Sequence, residues 1–256
     1  MAEQGWYHTL ELGPGNVTPG WFDLRGVPDR SPMPASLAGK RCLDVGTFDG
    51  FWAFEMERRG AAEVLAVDLL DPQRWDWPAD RPDDVVAAME ARKREGDGFD
   101  QARSALNSKV TRRELSVYDL SPEEVGTFDF VYVGSLLLHL RDPVAALAAA
   151  RSVCEGQLLL IEAIDPTLTR LSPRYPIASF DGRQRPWWWW PNQAALVRMA
   201  ESAGLRLVQP PVRLRMPPGK GQPRLPLRTL KFREGRRAYF GARIGDPHAA
   251  LLLEPV

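Results

Sequence analysis

The 256-residue sequence predicts an α/β protein: a doubly wound, seven-stranded, mostly parallel sheet with helices on both faces. Three observations predict it. Apolar runs of strand length alternate with helix-period segments, capping residues mark the helix starts, and glycine- or acid-bearing turns follow the strands.

The strand runs are 41–46 (RCLDVG), 63–69 (EVLAVDL), 128–135 (FDFVYVGS) and 157–164 (QLLLIEAI). Between them lie helical patterns at 49–59, 83–95 and 143–154. Asp142 followed by Pro143 reads as an N-cap with proline in the first helical turn, and Pro191-Asn192 opens a further helix at 193–203. Another strand starts within Val110–Tyr118, and 205–208 and 238–244 supply the last two. The proline-rich stretch 209–226 reads as a long loop. One domain is expected over 1–256. Residues 1–38 lie over the active site, 39–165 form the cofactor-binding core, and 166–256 form the substrate side and last strands.

Composition narrows the class. Apolar residues make up 44% and charged residues 26%, the profile of a globular chain rather than a disordered one. Thirty-three basic residues balance 33 acidic ones, so any electrostatic attraction to nucleic acid must be local. No stretch reaches the ~20 apolar residues of a membrane span. The N-terminus lacks the apolar core of a secretory signal, so a cytoplasmic protein is expected. Cys42 and Cys154, in apolar surroundings, read as reduced core thiols.

The most informative segment is Leu43-Asp44-Val45-Gly46-Thr47-Phe48-Asp49-Gly50, which ends one strand and opens a helix. Glycines there let the backbone approach a ligand closely. A dinucleotide site would use G-x-G-x-x-G, and that spacing is missing. Asp44 would also repel a pyrophosphate. A cationic ligand reverses that sign, and S-adenosylmethionine carries an ammonium and a sulfonium without phosphate. Asp68, 24 residues after Asp44 at the second strand's end, is placed to accept both ribose hydroxyls. Gly46, Thr47, Phe48, Gly50, Leu69, Val117, Tyr118, Gly134 and Ser135 complete the expected cofactor set, from strand ends that converge on one crevice.

D-V-G-T-F-D-G, A-V-D-L and F-D-F-V-Y-V-G-S-L-L-L-H-L-R-D-P together resemble class I S-adenosylmethionine-dependent methyltransferases, a Rossmann-like family. The leader G-W-Y-H-T-L, T-P-G-W-F-D, and G-K-R-C-L-D followed by G-F-W-A-F-E resemble the branch around the bacterial tRNA wobble-uridine carboxymethyltransferase, from about residue 5 to about residue 200. The resemblance implies a last strand antiparallel to the rest, and S-adenosylmethionine or a close relative as donor.

His139, four residues after Ser135 at the sheet rim, is the candidate general base, with packing or capping as the alternative. His8, in the leader, is the second candidate, and His248 reads as a structural turn residue. Trp187 to Trp190 lie between Pro186 and Pro191; in an extended segment two would point to the core and two away. Trp188 and Trp189 could stack on a flat or sugar-like acceptor, with Arg183 and Arg185 for an anionic group and Trp6 and Tyr7 from the leader, or the run could simply pack. No metal site is expected, since Glu162 and Asp165 lack a histidine at ligand spacing. From Arg206 to Arg237 ten basic residues face one acid, Glu234: either an RNA contact or, the commoner case, a solvated loop. The preferred reading is methyl transfer to a small-molecule acceptor, an aromatic or sugar-bearing metabolite methylated on oxygen. An RNA-modifying enzyme is less favoured, given the balanced charge, and a non-catalytic nucleotide-binding module less still.

Overall fold

A computed structural model of the chain describes residues 5–94, 98–223, 225–231 and 233–256. Residues 1–4 of the expected leader, Glu95 of the expected second helix and Arg224 of the basic run lie outside the described residues.

The sheet contains β1 (Arg41–Val45), β2 (Glu63–Asp68), β3 (Thr111–Glu114), β4 (Phe128–Gly134), β5 (Cys154–Ala163), β6 (Leu205–Leu207), β7 (Val212–Met216) and β8 (Asp246–Pro255). Their order is β6-β8-β5-β4-β1-β2-β3, with β7 also paired to β8. The five strands from β3 to β5 in that order are mutually parallel, and β8 runs antiparallel to β5, β6 and β7. The chain moves outward from β1 in one direction and then returns to its other side at β4. The strand order therefore reverses between β1 and β4, where open parallel sheets leave a crevice at the carboxyl ends of their strands.

Alternate side chains feed two apolar layers, as a twofold strand repeat requires. Leu43, Val45, Val131, Val133, Leu158 and Leu160 pack with Leu147 of α4 (Pro143–Ser152) and Leu196 of α5 (Gln193–Ser202). Cys42, Ala66, Phe130, Tyr132 and Ile161 pack on the other face with Trp52 and Met56 of α1 (Phe51–Arg58) and Phe99 of α3 (Gly98–Ala105). The helix Asp83–Arg94, α2, covers the second of the sequence-derived helical patterns. Both expected caps form: Asp142 accepts from the Ala145 amide at 2.9 Å and Asn192 from the Ala195 amide at 2.7 Å. Cys42 and Cys154 are buried and free, and burial pushes their thiols up to about 12 and about 11.

The C-terminal third corrects the sequence-based expectation. Residues 238–244 belong to helix α6 (Arg233–Ile244), not to a strand, with Tyr239 inward and Phe240 outward. The last strand is β8, whose Leu- and Ala-rich core is buried on both faces and so shows no alternation. The expected loop 209–226 contains β7, with Arg213 and Arg215 on its outer side and Leu214 and Met216 packed on the α1 layer.

Candidate active site

The β1–α1 turn is shaped by backbone that side chains would obstruct. Gly46 has φ +77°, its amide donates to the Val67 carbonyl at 2.8 Å, and a Cβ there would touch Leu136 at 3.4 Å. Gly50 has φ +90°, and a Cβ there would lie 2.5 Å from the Phe54 ring. Between them Phe48 adopts φ +49° and donates its amide to Asp68 Oδ2 at 3.2 Å.

Asp44 is 1% exposed. Its Oδ2 accepts from Thr47 Oγ1 at 2.7 Å and the Ala53 amide at 3.1 Å, whereas its buried Oδ1 has no hydrogen-bond partner. Burial pushes the carboxyl up to about 7, against the two donors and with a small further push from Asp68. A half-satisfied buried carboxylate beside a helix start suits a cationic ligand and disfavours an anionic one. Asp68 is half-buried at the end of β2 and also accepts from the Leu69 amide at 2.9 Å.

Other strand ends close the crevice. Val117 turns its side chain into the apolar core rather than toward the crevice. Tyr118 donates its hydroxyl to Asp76 Oδ2 at 2.7 Å and accepts from the Asp142 amide, and burial together with Asp76 raises its pKa. Ser135, just after Gly134, sits at φ +49° with its Oγ 3.0 Å from His248 Nε2. His248 Nδ1 lies 3.0 Å from the Asp246 carbonyl, which can only accept; Nε2 is therefore left to accept from Ser135. Burial lowers His248 to about 4. His248 is thus a strand residue in contact with the expected cofactor set, not a turn residue. Glu162, buried and pushed up to about 7, accepts from the Leu136, Leu137 and Ala163 amides and so fixes the loop after β4.

That loop carries His139. Its Nδ1 lies 2.7 Å from the Pro186 carbonyl, so Nδ1 bears the proton and Nε2 keeps its lone pair. Burial lowers its pKa, opposed by that hydrogen bond, and the ring is neutral near pH 7. The tryptophan segment docks on the same loop: the Trp188 amide donates to the Leu138 carbonyl at 2.7 Å, and Trp189 Nε1 to the Arg141 carbonyl at 3.2 Å. Trp188 Nε1 donates to the Asp76 carbonyl at 2.8 Å. All four tryptophans are half-buried, so the expected split into two core and two exposed rings does not occur. A short hairpin pairs Ala178–Phe180 with Trp189–Pro191. Arg183 and Arg185 are exposed, Arg185 stacking over Trp187.

The leader crosses the turn. Asp49 Oδ2 accepts from the Tyr7 amide and from the His8 amide at 3.0 Å, and the Tyr7 ring packs 4.8 Å from Phe48. Trp6 is half-buried against Gly98. His8 is buried beside Phe51, and burial lowers it to about 3, so it holds a proton poorly at neutral pH. Sequence reasoning missed Asp49, Asp76 and Glu162. Each accepts from at least one backbone amide 25 or more residues away, a signal that spacing does not carry.

Comparison with known proteins bears on this geometry. A family model described as "Methyltransferase domain" matches residues 25–210. Ubiquinone biosynthesis O-methyltransferase of Acinetobacter baumannii (strain AYE) is 26% identical over 157 residues, 60% of this chain and 54% of that protein. The chain thus spans about half the length of this curated relative. Among solved structures, the N-terminal domain of EvdMO1, crystallised with S-adenosylhomocysteine and D-fucose, matches with TM-score 0.55 at 15% identity, over 98% of this chain and 91% of that one. The 1,6-didemethyltoxoflavin-N1-methyltransferase of Burkholderia thailandensis matches with TM-score 0.52 at 13% identity, over 86% and 72%.

Proposed function

The chain belongs to the methyltransferase-domain family, and we propose that it transfers a methyl group from S-adenosylmethionine to a hydroxyl of a small aromatic or sugar-bearing acceptor. The observation that carries the donor is Asp44: a buried carboxylate with an unpartnered oxygen, in a glycine cradle, next to a second acid at Asp68. These residues fit the group. Asp44 would hold its cationic amino-acid end through the turn it braces, Asp68 its ribose hydroxyls, and Ser135, kept in place by His248, its side at the end of β4. S-adenosylmethionine supplies a methyl on a good leaving group, so the protein's task is alignment and removal of the acceptor proton. His139 Nε2, with its partner nitrogen fixed by Pro186, takes that proton. The Trp188–Trp189 rim, braced by Asp76 and Arg141, forms the flat wall on which the acceptor stacks.

Leu138 supports the ordinary donor over a carboxylated one. The wobble-uridine branch transfers a carboxymethyl group, and its tyrosine before the histidine is replaced here by Leu138, a buried side chain with no donor for an extra carboxylate. An unpaired carboxylate in a closed site costs several kcal/mol, which supports the ordinary donor. The acceptor class is tested by incubating the protein with methyl-labelled S-adenosylmethionine and fractionated cell extract. Label is expected in the small-molecule fraction; label confined to RNA overturns the acceptor assignment.

A further inference from the structure

Charge is divided unevenly along a chain whose total balances. Residues 166–244 hold 16 Lys and Arg against 3 Asp and Glu, a net +13, and the rest of the chain carries the opposite charge. One of those three acids, Glu201, pairs with Arg198, and Glu254 of β8, outside the stretch, takes Arg206. Apolar exposure concentrates in the same stretch. Eight of the 11 large apolar side chains exposed among the described residues fall within it, including Tyr175 at 77%, Leu171 at 73% and Leu227 at 69%. Scattered exposed leucines are ordinary, but a cluster interleaved with unbalanced cations is not.

Several segments that carry the cluster are tied together. Asn192 Nδ2 donates to the Ser172 and Tyr175 carbonyls, and its Oδ1 accepts from the Ile177 amide. Phe180 packs 5.1 Å from Trp189, and Arg237 of α6 stacks on Trp190. On the outer side of α6, Arg236, Phe240, Arg243 and Ile244 are all exposed, at the one-turn and two-turn spacing that puts them on a single stripe. This surface adjoins the rim where Trp188 and Pro186 meet Leu138 and His139.

We propose that this face docks on an anionic lipid bilayer, with Leu227, Phe240 and Ile244 in the interface and Arg228, Arg236 and Arg243 at the headgroups. The inference rests on the acceptor-side reading of His139 and deepens it: the acceptor is a lipophilic hydroxyl compound reached from the membrane. Both halves of the pattern select this occupant. Basic amphipathic surfaces bind bilayers through apolar burial plus attraction to anionic headgroups. An RNA backbone would answer the cations and gain nothing from exposed Leu171, Leu227 and Ile244.

The test is flotation of the whole protein with phosphatidylcholine vesicles, alone or with about one third phosphatidylglycerol. At low salt the anionic vesicles should bind at least ~10-fold more protein, and ~0.5 M salt should remove most of that advantage. Phe240→Ser with Ile244→Ser, and separately Arg236→Glu with Arg243→Glu, should each cut binding by ~5-fold or more. These exposed variants keep wild-type affinity for S-adenosylhomocysteine, which reports an intact fold. Equal binding to both vesicles, no binding, or displacement of the protein from anionic vesicles by bulk tRNA overturns the proposal. Failure of the methyltransferase reading shows separately, as loss of S-adenosylhomocysteine binding without vesicles.

Discussion

The proposed donor side and the proposed acceptor side of this molecule are built by different means. Around β1 and β2 the site is made of backbone: left-handed Gly46 and Gly50, a strained Phe48, and carboxylates that brace amides. Around the 137–142 loop and the tryptophan hairpin it is made of side chains, with rings and cations leaning on one another across segments far apart in sequence. A site made of backbone tolerates one chemistry and keeps its sequence signature. A rim made of side chains can be refitted to a new acceptor while the sheet beneath stays unchanged.

Mutations on the two sides should separate turnover from donor binding. The largest effect belongs to His139→Ala, which should lower kcat by ~10²-fold or more, as loss of a general base does, with S-adenosylhomocysteine affinity near wild type. Steady-state rates and calorimetry on one preparation check it, and a parallel loss of donor affinity would move His139 to the donor side.

Asp68→Ala works the other way. It should weaken S-adenosylhomocysteine by ~1–3 kcal/mol, through loss of a charged acceptor for the ribose hydroxyls, and leave the acceptor's KM unchanged at saturating donor.

Asp44 gives the donor side a pH dependence. Burial pushes its carboxyl up to about 7, and in the proposed role it must be ionised to hold a cation, so donor affinity should be complete above that value. Below it, affinity should fall by up to ~10-fold per pH unit. Titrations from pH 8 to 6 should show that slope in wild type and a flat profile in Asp44→Asn. For the unliganded fold the sign is opposite. An acid raised from 3.8 binds its proton more tightly when folded, so its contribution is lost as pH rises from about 4 to about 7.

The smallest effect is expected at the rim. Trp188→Ala should raise the acceptor's KM ~5-fold, the scale of one lost aromatic stack, with kcat and donor affinity little changed.

The same division explains what could be read from sequence. The parallel core was legible because β1, β2, β4 and β5 contain apolar runs of strand length, three of them ending at or next to Gly46, Asp68 and Gly134, and the caps at Asp142 and Asn192 announce their helices. The last strand was not, because A-A-L-L-L buried on both faces has no period, while A-Y-F-G-A-R-I carries strand-like aromatics on a helix. His139 was legible as a histidine at a strand-end rim. Asp76, which ties Tyr118, Arg141 and Trp188 together, was not, since its partners lie 42 and 65 residues away for Tyr118 and Arg141. His248 escaped for the same reason, 113 residues from Ser135.

The central claim is that the crevice between β1 and β4 was shaped for a cationic nucleoside, not for a dinucleotide. Isothermal titration of the wild-type protein with S-adenosylhomocysteine and, in parallel, with NADH tests it directly. S-adenosylhomocysteine should bind with a Kd on the order of 1 µM, ~8 kcal/mol, and NADH should give no heat above dilution. Saturable NADH binding with none for S-adenosylhomocysteine would contradict it.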